Sequence, residues 1–353
     1  MGLHVAADRP DIDRFVEDAC TSIGRDVETL GVPHLLGVVL GGGYGRGEGG
    51  VKSGKLGVES GELRVKSELS NDLDFFAIAE GDAPEAEIVA SIGAALKPIS
   101  EKWTASLGVD VDFTVKTRWM LKHDEERIMV QELVRGYFDV AGEKGDRLFA
   151  GIEQRPAEAL PWMEAARLLM NRGMGLLLAK CRIENVECKI DGSSAVESRM
   201  SVEDRNFINR NINKCILGIG DARLVARHAY AWRVVDRAKA LGDKLYDAAV
   251  AWKFSPTEEP VCNWDKAREV WLAAFEEVSS RSRDSRLSSS SSDPRTSRTL
   301  RNVARWLVRR RTVGELRTLG LDPVARILEA VARHVRERRK PEASLMRDWE
   351  VFN

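Results

Sequence analysis

A glycine-rich segment that directly follows a short apolar run constrains this chain more than any other feature. The run Leu35–Leu40 is continuously apolar apart from one glycine, which is typical of a strand buried on both faces. It leads into the segment Gly41-Gly42-Gly43-Tyr44-Gly45-Arg46-Gly47-Glu48-Gly49-Gly50. Such a density of glycine predicts close approach of the backbone to another group, and phosphate suits that role best. We therefore expect a strand that leads into a phosphate-binding turn.

Two known glycine-rich motifs match parts of this segment, and both require a helix directly after it. Gly45-x-Gly47-x-x-Gly50 matches the dinucleotide fingerprint in its letters. Gly49-x4-Gly54-Lys55 nearly matches the P-loop, but Leu56 stands where the Mg²⁺-binding Ser or Thr belongs. The residues after Gly50 are polar and rich in Gly and Ser, which disfavours a helix start and therefore both motifs. A P-loop-like ATPase that uses Lys55 stays open as an alternative.

Acidic residues alternate with apolar ones on the two strands that follow. Asp72 and Asp74 flank Leu73 at the beginning of a second apolar strand, Leu73–Ala79. Asp110 and Asp112 alternate with valines on a third strand, predicted over Gly108–Lys116. Residues two apart project from one face of a strand, and two carboxylates ~4 Å apart repel by about 4 kcal/mol at an effective dielectric constant of ~20. Such a cluster is suited to divalent cations, and specifically to two Mg²⁺ ions ~3.5–4 Å apart.

The order of these features resembles the nucleotidyltransferase superfamily that includes the polymerase-β-type enzymes. Its signature is a Gly-Gly or Gly-Ser turn after the first strand, then a strand bearing Asp-x-Asp, then a third Asp on a later strand. Gly42 and Gly43 occupy the turn, and Tyr44-Gly45-Arg46-Gly47 resembles the continuation after it. The resemblance covers about residues 35–116. It implies that Asp72, Asp74 and Asp112 bind two Mg²⁺ ions, for which Mn²⁺ can substitute, with Asp110 as the other candidate for the third acid.

The resemblance also implies which residues bind the nucleotide. Gly42, Gly43, Tyr44 and Arg46 correspond to the turn that holds the phosphates of an NTP such as ATP, although Arg46 is equally suited to a structural ion pair. In the helical half, Lys214 resembles the basic residue that the family presents to the triphosphate. Arg210 precedes it by one helical turn on the same face. The stretch between Tyr44 and Asn71 exceeds the family spacing, which predicts an inserted hairpin or loop over about 51–70 or a lid over the site.

The pattern along the chain predicts an α+β fold in which a small mixed sheet is followed by a helical bundle. We expect a catalytic domain over 1–125 and a helical domain over 126–279, with helices at Ala157–Cys181, Val202–Leu241 and Asp265–Val278. The long second helix is expected to break near Gly218–Gly220. A Ser-rich linker is expected over 280–298, and an Arg-rich helical segment over 299–353. That segment suggests an acidic or nucleic-acid partner, or merely a solvated helix.

Composition narrows the class of protein. The 54 Lys and Arg residues nearly balance 55 Asp and Glu residues, which argues against a surface built wholly for nucleic acid. No apolar run approaches the roughly 20 residues of a membrane span, no signal-peptide pattern is present, and the five cysteines lack CxxC spacing. We expect a cytoplasmic nucleotidyltransferase whose acceptor is a small molecule, a protein side chain or an RNA end. A catalytically inactive nucleotide sensor or antitoxin-like binding protein of the same fold is the alternative.

Overall fold

The computed structural model describes residues 2–52, 69–187, 200–287 and 323–352. Two compact units are formed. One, here the sheet unit, comprises residues 1–156 and 251–257, and the other, here the helical unit, comprises residues 157–250 and 258–353. Residues 53–68, 188–199 and 288–322 lie outside the described residues. These ranges include Lys55, most of the predicted insert and most of the predicted Ser-rich linker.

The sheet unit contains a four-stranded mixed sheet and six helices within its described residues. The strands are β1 (Leu35–Leu40), β2 (Leu73–Ala79), β3 (Val111–Thr117) and β4 (Phe138–Gly142). The helices are α1 (Pro10–Leu30), α2 (Gly42–Gly45), α3 (Glu85–Leu107), α4 (Arg118–His123), α5 (Ile128–Leu133) and α6 (Gly145–Leu148). The strand order is β3-β2-β1-β4, with β2 and β3 parallel and the other two pairs antiparallel. The α+β class and the first three strands are thereby confirmed.

The two faces of the sheet are covered differently, and this difference positions the acidic residues. Leu73, Phe75 and Ala77 of β2 lie in one core cluster with buried residues of α1 and α3. Phe76 and Ile78, on the opposite face, pack with residues of α4 and α5. Because side chains alternate along a strand, Asp74 shares the face of Phe76 and lies toward the end of the strand where β2 begins. That face is therefore apolar along most of β2 and polar at its beginning.

The last strand of the sheet corrects the sequence prediction, which expected helical structure after residue 125. Phe138–Gly142 instead forms the edge strand β4, antiparallel to β1. Its side chains are mostly half-buried. A five-residue edge strand of mostly half-buried residues lacks the continuous apolar run that made β1 and β2 recognisable, and tertiary pairing decides its conformation.

The helical unit contains a 3₁₀ turn (Ala157–Ala159) and seven described helices. These are α7 (Trp162–Glu187), α8 (Val202–Ala226), α9 (Val234–Leu241), α10 (Lys244–Phe254), α11 (Trp264–Leu287), α12 (Pro323–Glu337) and α13 (Ala343–Phe352). The end of α10, residues 251–254, belongs to the sheet unit. Helix α11 continues to Leu287, so the Ser-rich stretch begins later than residue 280.

The break expected near Gly218–Gly220 is wrong, because α8 runs through both glycines and ends at Ala226. Both glycines serve close packing instead. A β-carbon on Gly218 would overlap the side chain of Arg172, and one on Gly220 would overlap the ring of Tyr246. Glycine in this helix therefore marks the close approach of neighbouring side chains rather than a turn.

The described part of the Arg-rich segment packs as a structural helix. Val324, Val331 and Val335 of α12 are fully buried, while Arg336 and Arg338 pair with Glu276 and Asp265 of α11 at 2.7 and 2.8 Å. Residues 299–322 lie outside the described residues, so a nucleic-acid role for them stays a prediction. No helix within the described ranges combines the length and apolar character that crossing a bilayer requires.

Candidate active site

Asp74 and Asp112 occupy adjacent positions on the two parallel strands. They are register partners in the pairing of β2 with β3. The backbone N–H of Leu73 donates to the carbonyl of Asp110 at 2.8 Å, which fixes the strand ends against each other. Asp72 directly precedes β2 and lies two residues before Asp74. The structure therefore favours Asp112 over Asp110 as the neighbour of Asp74, as the sequence analysis expected.

The glycine turn lies directly against Asp74. The backbone N–H of Gly41 donates to the carbonyl of Asp74 at 2.8 Å. Gly42 has a φ of 57°, in the left-handed region that glycine adopts without strain. A β-carbon at this position would overlap the Asp74 carboxylate oxygen Oδ2. Only glycine therefore allows the turn to approach this acid so closely, whereas the approach to phosphate that the glycine content suggested stays a prediction.

Tyr44 fastens the turn to the residues just before β2. Its side chain is 1% exposed, and its hydroxyl donates to the carbonyl of Gly50 at 2.9 Å and accepts from the backbone N–H of Ser70 at 3.3 Å. Burial raises the pKa of Tyr44 to about 12. The side chain is thus part of the framework, and only its backbone groups can serve the nucleotide-binding role expected for it. Asn71 adds to the framework, because its side-chain oxygen accepts from the N–H of Gly50 at 2.7 Å.

Arg46 belongs to a buried cluster of charges. Its guanidinium lies 3.2 Å from Glu132 Oε2 and 3.7 Å from Glu48 Oε2, and Glu48 is only 2% exposed. Lys253 Nζ lies 3.0 Å from the same oxygen of Glu48. Arg46 therefore makes the structural ion pairs that were the alternative to phosphate binding. Glu48 accepts charge-assisted contacts from two cations, which is what a buried carboxylate needs to stay ionised.

Residues 251–257 reach this cluster from a distant part of the sequence. The N–H of Val51 donates to the carbonyl of Phe254 at 2.8 Å, and a β-carbon on Gly50 would overlap the carbonyl of Lys253. Sequence analysis missed both Glu48 and Lys253. Their importance lies in a contact across about two hundred residues, and no local pattern signals such a contact. The insert also closes here, since Val51 and Leu69 form an antiparallel bridge.

Asp74 and Asp112 have the chemistry to bind a divalent cation, but they are not part of a complete set of metal ligands among the described residues. Carboxylate oxygens are the ligands that Mg²⁺ prefers. Within residues 2–52, 69–187, 200–287 and 323–352, no group of three or more His, Cys, Asp or Glu side chains is arranged to hold a metal ion. Mg²⁺ in phosphate-transfer sites is commonly bound by one or two carboxylates together with substrate phosphates and water. The pair Asp74 and Asp112 fits that mode of binding.

The remaining predicted residues lie in the helical unit. Arg210 and Lys214 are one turn apart on α8, and both are half-buried. Lys55 lies outside the described residues. No helix begins at Gly50, since Gly49 and Val51 are instead held in isolated β-bridges, so the dinucleotide motif lacks the helix it requires. Comparisons of the chain with protein-family models, with curated proteins and with solved structures found no match.

Proposed function

We propose that this protein is a nucleotidyltransferase, with a catalytic domain built on the sheet and a helical domain after it. One observation carries the proposal: Asp74 and Asp112 are register partners on parallel strands, and the glycine turn lies against Asp74. Two like charges at neighbouring positions repel, so a fold that keeps them together gains most when a cation binds between them. A backbone turn beside that position offers N–H groups to the phosphates of the same ligand.

In this proposal the turn binds the phosphates of an NTP. The backbone N–H groups of Gly42 and Gly43 donate to the β- and γ-phosphate oxygens. Tyr44 and Asn71 hold the turn in place through their contacts with Gly50, so the N–H groups are positioned before the ligand arrives. Preorganised donors of this kind stabilise developing charge without reorganising during the reaction.

The carboxylates orient the reacting groups. Asp72 and Asp74 would hold two Mg²⁺ ions, and Asp112 would hold the one nearer the acceptor. The bound ions would supply Lewis acidity and lower the pKa of the acceptor hydroxyl. Asp112 accepts the proton of that hydroxyl while its oxygen forms a bond to the α-phosphorus. The bond from the α-phosphorus to the bridging oxygen breaks, and pyrophosphate leaves with that electron pair.

The proposal also covers the acceptor of the nucleotidyl group and the residues of the helical unit that contact the triphosphate. A small molecule, a protein side chain and an RNA 3′ end all present the hydroxyl that the reaction requires. We assign Arg210 and Lys214 of the helical unit to the triphosphate, on the resemblance of α8 to the family's basic helix.

The proposal is tested by incubating the protein with each labelled NTP, Mg²⁺ and a cell lysate. We expect label to be transferred to one size class of acceptor with release of pyrophosphate. Asp74→Asn and Asp112→Asn should lower the transfer rate at least about a thousandfold while leaving the fold intact. Asp82→Asn, at an exposed loop position, is the matched control and should keep the wild-type rate. Undiminished transfer by Asp74→Asn would refute the proposal, and tight NTP binding without transfer would indicate a sensor instead.

A further inference from the structure

Strand β3 forms one edge of the sheet, and its outer side is not paired. In the part of the chain that the structure describes, β3 pairs with β2 alone. The backbone N–H of Leu73 in β2 donates to the carbonyl of Asp110. Because backbone groups alternate in direction along a strand, the even-numbered residues of β3 bond toward β2 and the odd-numbered residues point their N–H and C=O groups outward. The strand thus presents main-chain donors and acceptors along its outer side.

Helix α3 covers only the beginning of this outer side. The hydroxyl of Ser100 donates to the carbonyl of Val111, and the N–H of Val111 donates to Thr104 Oγ1 at 2.9 Å. These contacts confirm that the odd-numbered positions face outward. Phe113 and Val115 lie further along the strand, past the contacts with α3, so their outward groups are the ones that a further strand can meet.

The opposite edge of the sheet, β4, is contacted by a helix instead. Helix α1 approaches β4 so closely that a β-carbon on Gly24 would overlap the carbonyl oxygen of Val140. The N–H of Gly142 also donates to Glu28 Oε1 of α1 at 3.4 Å. Covering an edge with a helix is one way in which a fold prevents pairing with another chain. The two edges therefore differ, and β3 is the one suited to pairing.

The side chains of β3 are complementary to a second copy of the same strand. Asp112, Thr114 and Lys116 share one face, and the first two are exposed. When two copies pair antiparallel about Thr114, Asp112 lies opposite Lys116 of the second copy, and the two-fold axis repeats this pair. On the other face, Phe113 lies opposite Val115. Opposite charges, and an aromatic residue beside a β-branched one, both stabilise neighbouring strands.

The direction of the backbone groups fits the same register. Antiparallel strands bond through alternate residue pairs, and both members of such a pair must point their N–H and C=O groups at the other strand. Pairing about Thr114 sets Phe113 against Val115, and both have outward groups. Among pairings centred on a residue of β3, only this one sets Asp112 against Lys116. Pairing centred on either charged residue would set like charges opposite each other, which is destabilising.

We propose that this protein forms a symmetric homodimer in which the β3 strands of two copies pair antiparallel about Thr114 and join the two sheets into one. The occupant of this edge is a second copy because the charge pattern of β3 is complementary to itself. The paired strands are short, so we expect a dissociation constant of about 1–100 µM. This inference does not depend on the proposed transferase activity.

Sedimentation equilibrium of the full chain over about 1–200 µM tests the proposal. We expect a concentration-dependent equilibrium of monomer and dimer for the wild type. Lys116→Glu sets two acids opposite each other in both symmetry-related pairs, so the dissociation constant should rise at least about tenfold. Lys144→Glu is the matched control, since it makes the same charge change at an exposed position outside β3 and should dimerise as the wild type does. A wild type that stays monomeric throughout overturns the proposal and leaves the charges of β3 as protection of the edge.

Further variants test the register and keep the test decisive if Lys116→Glu folds poorly. Asp112→Lys combined with Lys116→Asp restores opposite charges, so the dimer should return even though the proposed transfer is lost. Thr114→Cys places both thiols on the symmetry axis at disulfide distance. Oxidised glutathione should therefore convert Thr114→Cys, but not Lys144→Cys, into a covalent dimer. An undiminished dimer in Lys116→Glu, or equal cross-linking of the two cysteine variants, contradicts the proposed pairing.

Discussion

The two compact units contain buried charge clusters of opposite design. In the sheet unit, the buried carboxylate of Glu48 contacts two cations, Arg46 and Lys253. In the helical unit, the guanidinium of Arg237, which is 4% exposed, lies 2.9 Å from Asp221 Oδ1 and donates to the hydroxyl of Tyr230 at 2.9 Å. The first cluster surrounds a buried carboxylate with cations, and the second surrounds a buried cation with oxygen acceptors.

Both clusters compensate their buried charge within the protein and so hold the chain around them in place. A buried ion pair whose members satisfy each other fixes the position of the chain around it, here the glycine turn. A buried charge without that compensation is costly unless something else supplies the opposite sign. Asp74 and Asp112 form a different arrangement, because the fold places two acids at register positions of neighbouring parallel strands just where the turn approaches.

The largest loss of stability is expected when the carboxylate of Glu48 is removed. Glu48→Gln would leave Lys253 without its buried carboxylate, and we expect unfolding to become easier by about 3–5 kcal/mol, measured by urea denaturation. The control is Glu101→Gln, which removes an exposed ion pair with Lys97 at 3.8 Å and should change stability by less than about 0.5 kcal/mol. Equal effects in the two variants would show that the Glu48 cluster is not a framework.

The closeness of the turn to Asp74 can be measured with a pair of glycines. Gly42→Ala and Gly31→Ala both place a side chain on left-handed backbone, which costs roughly 1–2 kcal/mol. Only Gly42→Ala also forces a β-carbon against Asp74, whereas Gly31 has open space around it. We therefore expect Gly42→Ala to lose at least about 1 kcal/mol more than Gly31→Ala in denaturant titrations. Equal losses would mean that the turn is not in contact with the acid.

The packing around Asp221 in the helical unit can be tested at Gly220, which contacts Tyr246. Gly220→Ala would press a methyl group into the ring of Tyr246, and we expect a loss of about 1–3 kcal/mol in stability. A loss below about 0.5 kcal/mol would show that Tyr246 can move and that the partners of Asp221 are not fixed.

The smallest expected effect is a gain. Gly93 lies within α3 with nothing near its missing β-carbon, so Gly93→Ala should stabilise the protein by about 0.5–1 kcal/mol. The same thermal and urea measurements check this prediction. A loss in this variant would mean that α3 is packed more closely there than the structure describes.

Much of the sheet was predictable because its strands carry strong local patterns. The apolar runs of β1 and β2 and the strict alternation of β3 predicted their positions to within a few residues. The order of turn and acids likewise predicted that Asp74 and Asp112 would be neighbours. The edge strand β4 was missed because it is short and half-buried, and a strand of that kind is defined by its pairing with β1.

The charge clusters could not be predicted from the sequence, because the role of each charged residue depends on which groups it contacts in the fold. Arg46 looked the same in sequence whether it binds phosphate or Glu132, and only the 3.2 Å contact distinguishes these roles. Gly218 suggested a helix break, whereas the structure uses it to admit the side chain of Arg172. Local propensity indicates which secondary structure a segment can form, whereas tertiary contacts decide which structure it adopts and what its side chains contact.

Mn²⁺ binding in the presence of a non-hydrolysable NTP analogue, followed by electron paramagnetic resonance, tests the central claim about Asp74 and Asp112 most directly. We predict two bound ions for the wild type and for Asp82→Asn, one ion for Asp112→Asn, and none for Asp74→Asn. The same number of bound ions in all four proteins would contradict the account.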